Sequence, residues 1–291
     1  MPVGFQFSKI IVIESLEPNE VKTGLQTSDF IKAELAKKHQ TLPVEYIKCW
    51  NAIEFTQLLD QIAIDAALGV TPIIHIECHG DAADGLEFEN GSSLSWEDLA
   101  GKLKPINIAT KFNLLVLVSA CFGAYFTQMI NAHKPSPCWG VIAPTDTVAP
   151  YEIRSGFQAF YSKFLETWDL GFAITSLRTA PISTGQWFAK PAESLFDEVV
   201  MNYLENWCTK SSSYIRVAAL KTEMQSMGIP HQGMTVIKKN LRQLNANMLE
   251  KYFSIYFSCD EVPENAVRFA NLKASLNNKI QTLRASGKFL V

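Results

Sequence analysis

Short apolar runs rich in β-branched residues alternate with amphipathic stretches over roughly the first 180 residues. Five runs predict strands, at residues 9–15, 44–49, 73–78, 114–118 and 139–143. Apolar positions at helical spacing predict helices at 28–38, 51–68, 95–103, 122–132, 151–167 and 172–179. Alternation of strand and helix is typical of a parallel sheet that helices cover. We therefore predict an α/β fold with a mostly parallel sheet.

The pattern changes near Pro181, where strand signals stop. The segment 182–191 contains turn-forming serine, glycine and proline residues, and we interpret it as a linker or surface loop. Beyond it the chain shows helical periodicity alone, at residues 192–208, 211–227, 235–257 and 264–285. We therefore predict an α/β domain at 1–181, a linker at 182–191 and a C-terminal α-helical annex at 192–291.

The composition predicts a large core and no extreme charge. Of the 291 residues, 47% are apolar and 19% are charged, and the net charge is −3. No run of five or more basic residues occurs, which argues against nucleic acid as a partner. No apolar run reaches the roughly 18 residues of a membrane span, and the first residues lack the pattern of a signal peptide. We therefore expect a cytoplasmic protein with no membrane partner.

The cysteines and histidines show no metal-binding spacing. The six cysteines form no CxxC pair, and the five histidines form no HxxxH or HExxH pattern on a predicted helix. We therefore expect neither a metal ion nor another cofactor. Widely spaced cysteines beside apolar runs indicate free thiols in a reducing compartment.

A histidine and a cysteine each stand at the C-terminal end of a predicted strand. His79 and Gly80 close the third strand, and Cys121 follows the fourth. Ligands of an open parallel sheet bind outside the carboxyl ends of its strands, and a histidine or helix N-terminus nearby activates a cysteine nucleophile. We therefore predict a Cys-His hydrolase site, with the backbone N–H groups of Gly80 and Cys121 as oxyanion donors. Either residue alone is often structural, whereas the pair is more specific.

Two motifs resemble the paired His-Gly and Ala-Cys motifs of caspase-like cysteine proteases. They are IIHIECHG at 73–80 and LLVLVSACFG at 114–123. The segment GLEFENGSSLSWEDLAGKL at 85–103 is similar to the hairpin and helix of the bacterial CHAT family, which is related to caspases and separases. The segment GVIAPTDTV at 140–148 resembles the strand and Asp-containing loop that follow in CHAT and separase proteins. The resemblance covers roughly residues 9–180 and implies a caspase-like sheet flanked by helices.

The resemblance implies a role for each matched residue. Cys121 would be the nucleophile and His79 the general base and acid, and Gly80 would supply an oxyanion N–H. Asp146 would be the acid of the S1 pocket, which receives the side chain before the scissile bond and would then favour a basic one. From the residues alone, Asp146 is equally well interpreted as a turn-forming residue.

Two neighbours of the motif residues bear on the pocket. Glu77 shares a strand face with His79 and could orient it, line the S1 pocket or be a solvated residue at a strand end. Ser119 stands two positions before Cys121, where metacaspases carry an acid and caspases a glutamine. A pocket built on arginines for acidic side chains is therefore not supported. His75, which lies mid-strand on the face of Glu77, is predicted to be a core histidine.

The leading function is a cysteine endopeptidase that cleaves a protein substrate through an acyl-enzyme intermediate. The resemblance alone implies a setting of regulated proteolysis, including bacterial antiviral defence in which a gasdermin is cleaved. The alternative is a catalytically silent interaction module on the caspase-like fold, with the helical annex at 192–291 binding a regulatory protein. A nucleotide-binding protein is disfavoured because the chain lacks GxGxxG and GxxxxGKS/T motifs.

Overall fold

The computed structural model describes residues 5–230 and 233–289, which form two compact units. The α/β unit comprises residues 5–130 and 136–192. The helical unit comprises residues 131–135 and the described residues from 193 onward.

A mixed sheet of eight strands forms the centre of the α/β unit in the described part of the chain. Its strands are β1 (Lys9–Ser15), β2 (Val44–Lys48), β3 (Pro72–Asp81), β4 (Gly85–Glu87), β5 (Ser93–Leu94), β6 (Leu115–Ser119), β7 (Gly140–Pro144) and β8 (Trp187–Pro191). The order is β2-β1-β3-β6-β7-β8, in which neighbours are parallel from β2 to β7 and β8 is antiparallel to β7. β4 and β5 form an antiparallel hairpin at the end of β3. The mostly parallel sheet that the sequence predicts is thus confirmed.

The central strands are buried on both faces, which is why they read as continuous apolar runs. In β1, Ile10 and Val12 point to one face of the sheet, while Ile11 and Ile13 point to the other. Each of these side chains is at most 3% exposed. Helices must therefore cover both faces.

The described residues of the α/β unit form five helices: α1 (Thr23–Lys37), α2 (Ala52–Ala67), α3 (Trp96–Ala109), α4 (Pro150–Thr167) and α5 (Leu170–Thr179). On one face of the sheet α4 packs against α1 and α5, whereas α2 and α3 pack together on the other. Phe157, Phe160, Tyr161 and Phe164 recur at helical spacing along α4 and are fully buried against the sheet.

The predicted linker at 182–191 is corrected by β8, which occupies its second half and pairs with β7 along five residues. Trp187 and Ala189 point into the core and are 5% and 7% exposed. Burial of Trp187 against α4 therefore outweighs the turn signals of this segment. Pro191 is tolerated because it is the last residue of an edge strand.

The predicted helix at 122–132 is a shorter 3₁₀ helix, Gly123–Met129. Phe122 has a left-handed backbone with φ of 56°, so the chain turns sharply before the helix begins. The predicted helix at 95–103 continues instead to Ala109, with Pro105 inside it. The buried residues of its extension outweigh the lost backbone hydrogen bond.

The helical unit contains α6 (Ala192–Trp207), apart from its first residue, and α7 (Lys210–Ser226), α8 (Met234–Tyr256), α9 (Glu264–Arg268) and α10 (Ala270–Ala285). Val217 on α7 packs with Ile237 and Leu241 on α8. Phe196 lies within ring-contact distance of Phe253 on α8, with ring centroids 6.0 Å apart. None of the helices in the described ranges is both long and apolar enough to cross a membrane.

Replacing Gly156 with alanine is expected to destabilise the α/β unit. A Cβ at this position of α4 would lie 2.4 Å from Cζ2 of Trp187, so β8 and α4 must separate. Overpacking of this kind costs about 1–3 kcal/mol, which urea unfolding would measure.

The matched control is Gly101→Ala on α3, where an added Cβ meets no atom within 4 Å. This exposed helical position should become more stable by up to about 1 kcal/mol. Equal unfolding midpoints for the two variants would contradict the tight packing of α4 on β8.

Candidate active site

The pairing of β3 with β6 sets the edge of the sheet at which the candidate residues meet. The two strands are parallel, and Glu77 lies opposite Ser119 in their register. His79 is two residues beyond Glu77, and Cys121 is two residues beyond Ser119. The equal offsets bring the histidine and the cysteine to the same height at neighbouring strand ends.

A cleft of about 120 Å³ opens at this edge, and both His79 and Cys121 line it. Its other lining residues include Leu16, Glu20, Val21, Thr23, Glu77, Ser119, Val148, Pro150 and Ile153. The cleft therefore combines a candidate nucleophile and base with carboxylates, hydroxyls and apolar walls. A larger cavity of about 330 Å³ beside Arg178 and Phe188 has neither a cysteine nor a histidine among its lining residues.

Cys121 is held by the loop that follows β7. The backbone N–H of Val148 points at its sulfur with an N–S distance of 3.4 Å, and the thiol donates to the Val148 carbonyl oxygen at 3.8 Å. The next residue, Phe122, donates its N–H to the carbonyl oxygen of Asp146 at 3.1 Å. The sulfur thus has a fixed place in the cleft, with an N–H that can also donate to a thiolate.

His79 is half-exposed and is held from the side of β1. Its Nε2 lies 2.8 Å from Oε1 of Glu20, in the segment between β1 and α1. Burial raises the pKa of Glu20, but hydrogen bonds from His79 and from the backbone of Glu17 outweigh it, so the pKa is lowered. Glu20 is not among the site residues predicted from the sequence. Its only signal was an acid in the loop after a strand that neighbours β3.

Gly80 lies against the backbone of Cys121. A Cβ at residue 80 would sit 2.3 Å from the carbonyl oxygen of Cys121, a distance at which the two strand ends could not remain together. Only glycine fits this contact. The predicted oxyanion donors Gly80 and Cys121 are therefore adjacent.

Glu77 is 1% exposed, so its interpretation as a solvated strand-end residue is wrong. One carboxylate oxygen is 2.9 Å from Nε2 of His75, and the other accepts the hydroxyl of Thr23 at 2.7 Å. Nδ1 of His75 lies 3.0 Å from the hydroxyl of Tyr161. His75 is thus a satisfied core histidine, as predicted. It is Glu20 that bonds His79, while Glu77 contributes to the cleft wall.

A second buried carboxylate, Glu14, lies opposite Glu77 in the register of β1 and β3. It accepts the N–H groups of Gly24 at 2.7 Å and Leu25 at 3.2 Å, at the start of α1. Tyr46 donates its hydroxyl to the other oxygen at 2.6 Å. Burial, followed by this hydrogen bond, raises the pKa of Tyr46. The first turn of α1 therefore stabilises the negative charge of Glu14 beneath the cleft.

The hydroxyl of Ser119 lines the cleft without a hydrogen-bond partner in the described residues. The residue is 1% exposed. A buried hydroxyl without a partner is uncommon, and it can donate to or accept from a bound group.

Asp146 lies in the loop next to Cys121, outside the set of residues that line the cleft. Its carboxylate accepts the N–H of Thr147 at 2.7 Å. An added Cβ on Gly185 would come within 2.7 Å of the Asp146 Cβ. The side chain therefore stabilises a turn that packs against the segment before β8.

Glu152 ties that segment to the loop after β7. Its carboxylate accepts the N–H of Ala149 at 2.8 Å and the N–H of Ser183 at 2.6 Å. Hydrogen bonds from Ser183 and Ala149 lower the pKa of this buried carboxyl group. Since Ala149 adjoins Val148, the hydrogen bonds of Glu152 also support the loop that contacts the Cys121 sulfur.

Within residues 5–230 and 233–289, no group of three or more histidine, cysteine or acidic side chains is arranged to hold a metal ion. In comparisons with known proteins, no family model matches the chain and no curated protein matches it at a significant level. We therefore infer a function from the geometry of the cleft.

Replacing Glu152 with glutamine should destabilise the protein most at neutral pH. A carboxyl group whose pKa is lowered by folding contributes stability above its ordinary value of 4.5 and loses it as the pH falls through the folded value. The free energy of unfolding of the wild type should exceed that of Glu152→Gln by about 1.5–3 kcal/mol at pH 7. Denaturant unfolding should show this difference shrinking below pH 4.5.

Glu166→Gln on the same helix is the control. Its carboxylate is 57% exposed and pairs with Lys163 on the surface, so its loss should change the stability little. If the difference in unfolding free energy between the wild type and Glu152→Gln did not change with pH, the ionised carboxylate of Glu152 would not be the source of the stability.

Proposed function

We propose that the protein is a caspase-like cysteine endopeptidase in which Cys121 attacks the scissile carbonyl and His79 transfers the protons. The observation that carries the proposal is that His79 and Cys121 line one cleft at the paired ends of β3 and β6. A protein is the proposed substrate. Regulated proteolysis, including defence, is the setting that the sequence resemblance implies.

The reaction would proceed through an acyl-enzyme. His79 takes the proton of the Cys121 thiol, and the thiolate forms a bond to the peptide carbonyl carbon. The imidazolium then gives its proton to the leaving amine as the C–N bond breaks. Water, deprotonated by His79, releases the acyl group and restores the thiol. The backbone N–H groups of Gly80 and Cys121 would stabilise the oxyanion, a contribution of about 3 kcal/mol per donor.

The cleft is suited to the side chain that precedes the scissile bond. Leu16, Val21 and Ile153 offer apolar walls, along which the aliphatic stem of lysine or arginine can pack. Glu77 and the free hydroxyl of Ser119 offer polar groups for its charged end. These features favour a basic residue before the cut, with Glu77 rather than Asp146 as the pocket acid.

The alternative is a catalytically silent interaction module, with the helical unit as the surface for a partner protein. Both functions use the same fold. They differ in whether Cys121 reacts as a nucleophile.

An acyloxymethyl-ketone peptide ending in lysine or arginine should label Cys121. Labelling and peptide cleavage should be lost in Cys121→Ala and His79→Ala, because each removes a reacting group. Mass spectrometry would locate the label. Cys259→Ala is the control, since Cys259 lies in the helical unit and burial raises the pKa of its thiol.

Cleavage that persists in purified Cys121→Ala would contradict the proposed mechanism. Preferred labelling by a probe ending in aspartate would keep the nucleophile but contradict the basic pocket. Failure of every probe to label the wild type would favour the silent interaction module.

Glu77→Gln should weaken recognition of a charged side chain specifically. The kcat/KM for a substrate with arginine before the cut should fall about 10- to 100-fold, as expected from losing about 1.5–3 kcal/mol of a charged hydrogen bond. A substrate with uncharged norleucine there should be affected far less. Asp146→Asn should keep the arginine preference. If kcat/KM fell equally for both substrates, Glu77 would have only a structural role.

A further inference from the structure

Glu20 makes a contact with His79 that the dyad alone does not account for. Its Oε1 lies 2.8 Å from Nε2 of the ring. An imidazole has two nitrogens, so a partner at Nε2 leaves Nδ1 for the neighbouring Cys121. A carboxylate on the outer nitrogen fixes both the tautomer and the rotation of the ring.

Glu20 is itself fixed by a short turn. Its second carboxylate oxygen accepts the N–H of Glu17 at 2.7 Å, and its own N–H donates to the Glu17 carbonyl oxygen at 3.0 Å. The ammonium group of Lys22 donates to the carbonyl oxygen of Leu16 at 2.7 Å and to that of Glu17. The carboxylate therefore presents one oxygen to His79 while the turn holds the other.

The degree of exposure indicates orientation rather than stability as the role of this pair. The side chains of His79 and Glu20 are 49% and 31% exposed, so water and salt screen their attraction. Such a pair contributes little to folding. It still restricts the ring, which matters because proton transfer is sensitive to geometry.

We propose that Glu20 is the positioning residue of a Cys121–His79–Glu20 triad, which deepens the endopeptidase function proposed above and rests on it. The proton of the Cys121 thiol moves to Nδ1 of His79. The Nε2–H bond stays intact and donates to the Glu20 carboxylate throughout. Nδ1 then passes its proton to the leaving amine, and Glu20 keeps its charge at every step.

The test compares Glu20→Gln and Glu20→Asp with the wild type on one peptide substrate. Glu20→Gln should lower kcat by on the order of 100-fold with KM nearly unchanged, because both carboxylate oxygens of Glu20 are engaged, one by His79 and the other by the Glu17 N–H. Glu20→Asp retains the charge and should recover part of the loss. Asp29→Asn, which removes an exposed acid on α1, controls for net charge and should behave as the wild type.

A second measurement needs no substrate. The ¹⁵N chemical shifts of the His79 ring, measured by NMR, report which nitrogen carries the proton. The proton should reside on Nε2 in the wild type and be distributed between the two nitrogens in Glu20→Gln, because the carboxylate partner of Nε2 is lost. Alkylation of Cys121 by iodoacetamide at one fixed pH should slow as well. A merely structural role would change the unfolding midpoint and leave both the tautomer and the alkylation rate in place.

The outcomes separate the two proposals. Wild-type kcat and an unchanged His79 tautomer in Glu20→Gln would overturn the triad while the dyad stands. Faster cleavage by Glu20→Gln would also overturn it, since Glu20 would then restrain His79. Cleavage that survives Cys121→Ala would refute the endopeptidase, whereas a changed His79 tautomer would still support the Glu20–His79 pairing.

Discussion

The parallel register between β3 and β6 is the constraint on which the candidate site depends. Because Glu77 lies opposite Ser119 in the last pair of their register, His79 and Cys121 follow at equal offsets beyond it. A slip of one residue would turn each side chain to the other face of the sheet. The close approach of Gly80 to the Cys121 backbone helps to fix this alignment, because no larger residue fits there.

The start of α1 stabilises the buried negative charge beneath the cleft. Burying a carboxylate costs free energy unless it is hydrogen-bonded. Glu14 on β1 and Glu77 on β3 are both buried and lie side by side on these neighbouring strands. Backbone N–H groups of the first helical turn satisfy Glu14, while the hydroxyl of Thr23 and the ring of His75 satisfy Glu77. The segment leading into this turn also carries Glu20. One stretch of chain therefore supports the cleft floor and contacts His79.

The parallel strands, and the placing of His79 and Cys121 at one edge of the sheet, could be predicted because apolar runs and their ends are local features. The positions of three other groups depend on tertiary packing. Glu20 reaches His79 through a turn whose shape its loop sequence does not reveal. Glu77 resembles a solvated strand-end acid until its partners His75 and Thr23 are known. The strand at Trp187–Pro191 has turn-like flanks, and only its burial against α4 explains it.

The central place of β3 in the sheet has a consequence for folding. β3 pairs with β1, where Pro72 meets Lys9, and with β6, where Ile73 meets Leu115. Both contacts join distant parts of the chain, and such contacts form late because a long loop must close first. During synthesis His79 is added to the chain 42 residues before Cys121. The two residues can meet only when β6 has been made and has docked, so a nascent or partly folded chain has no assembled cleft.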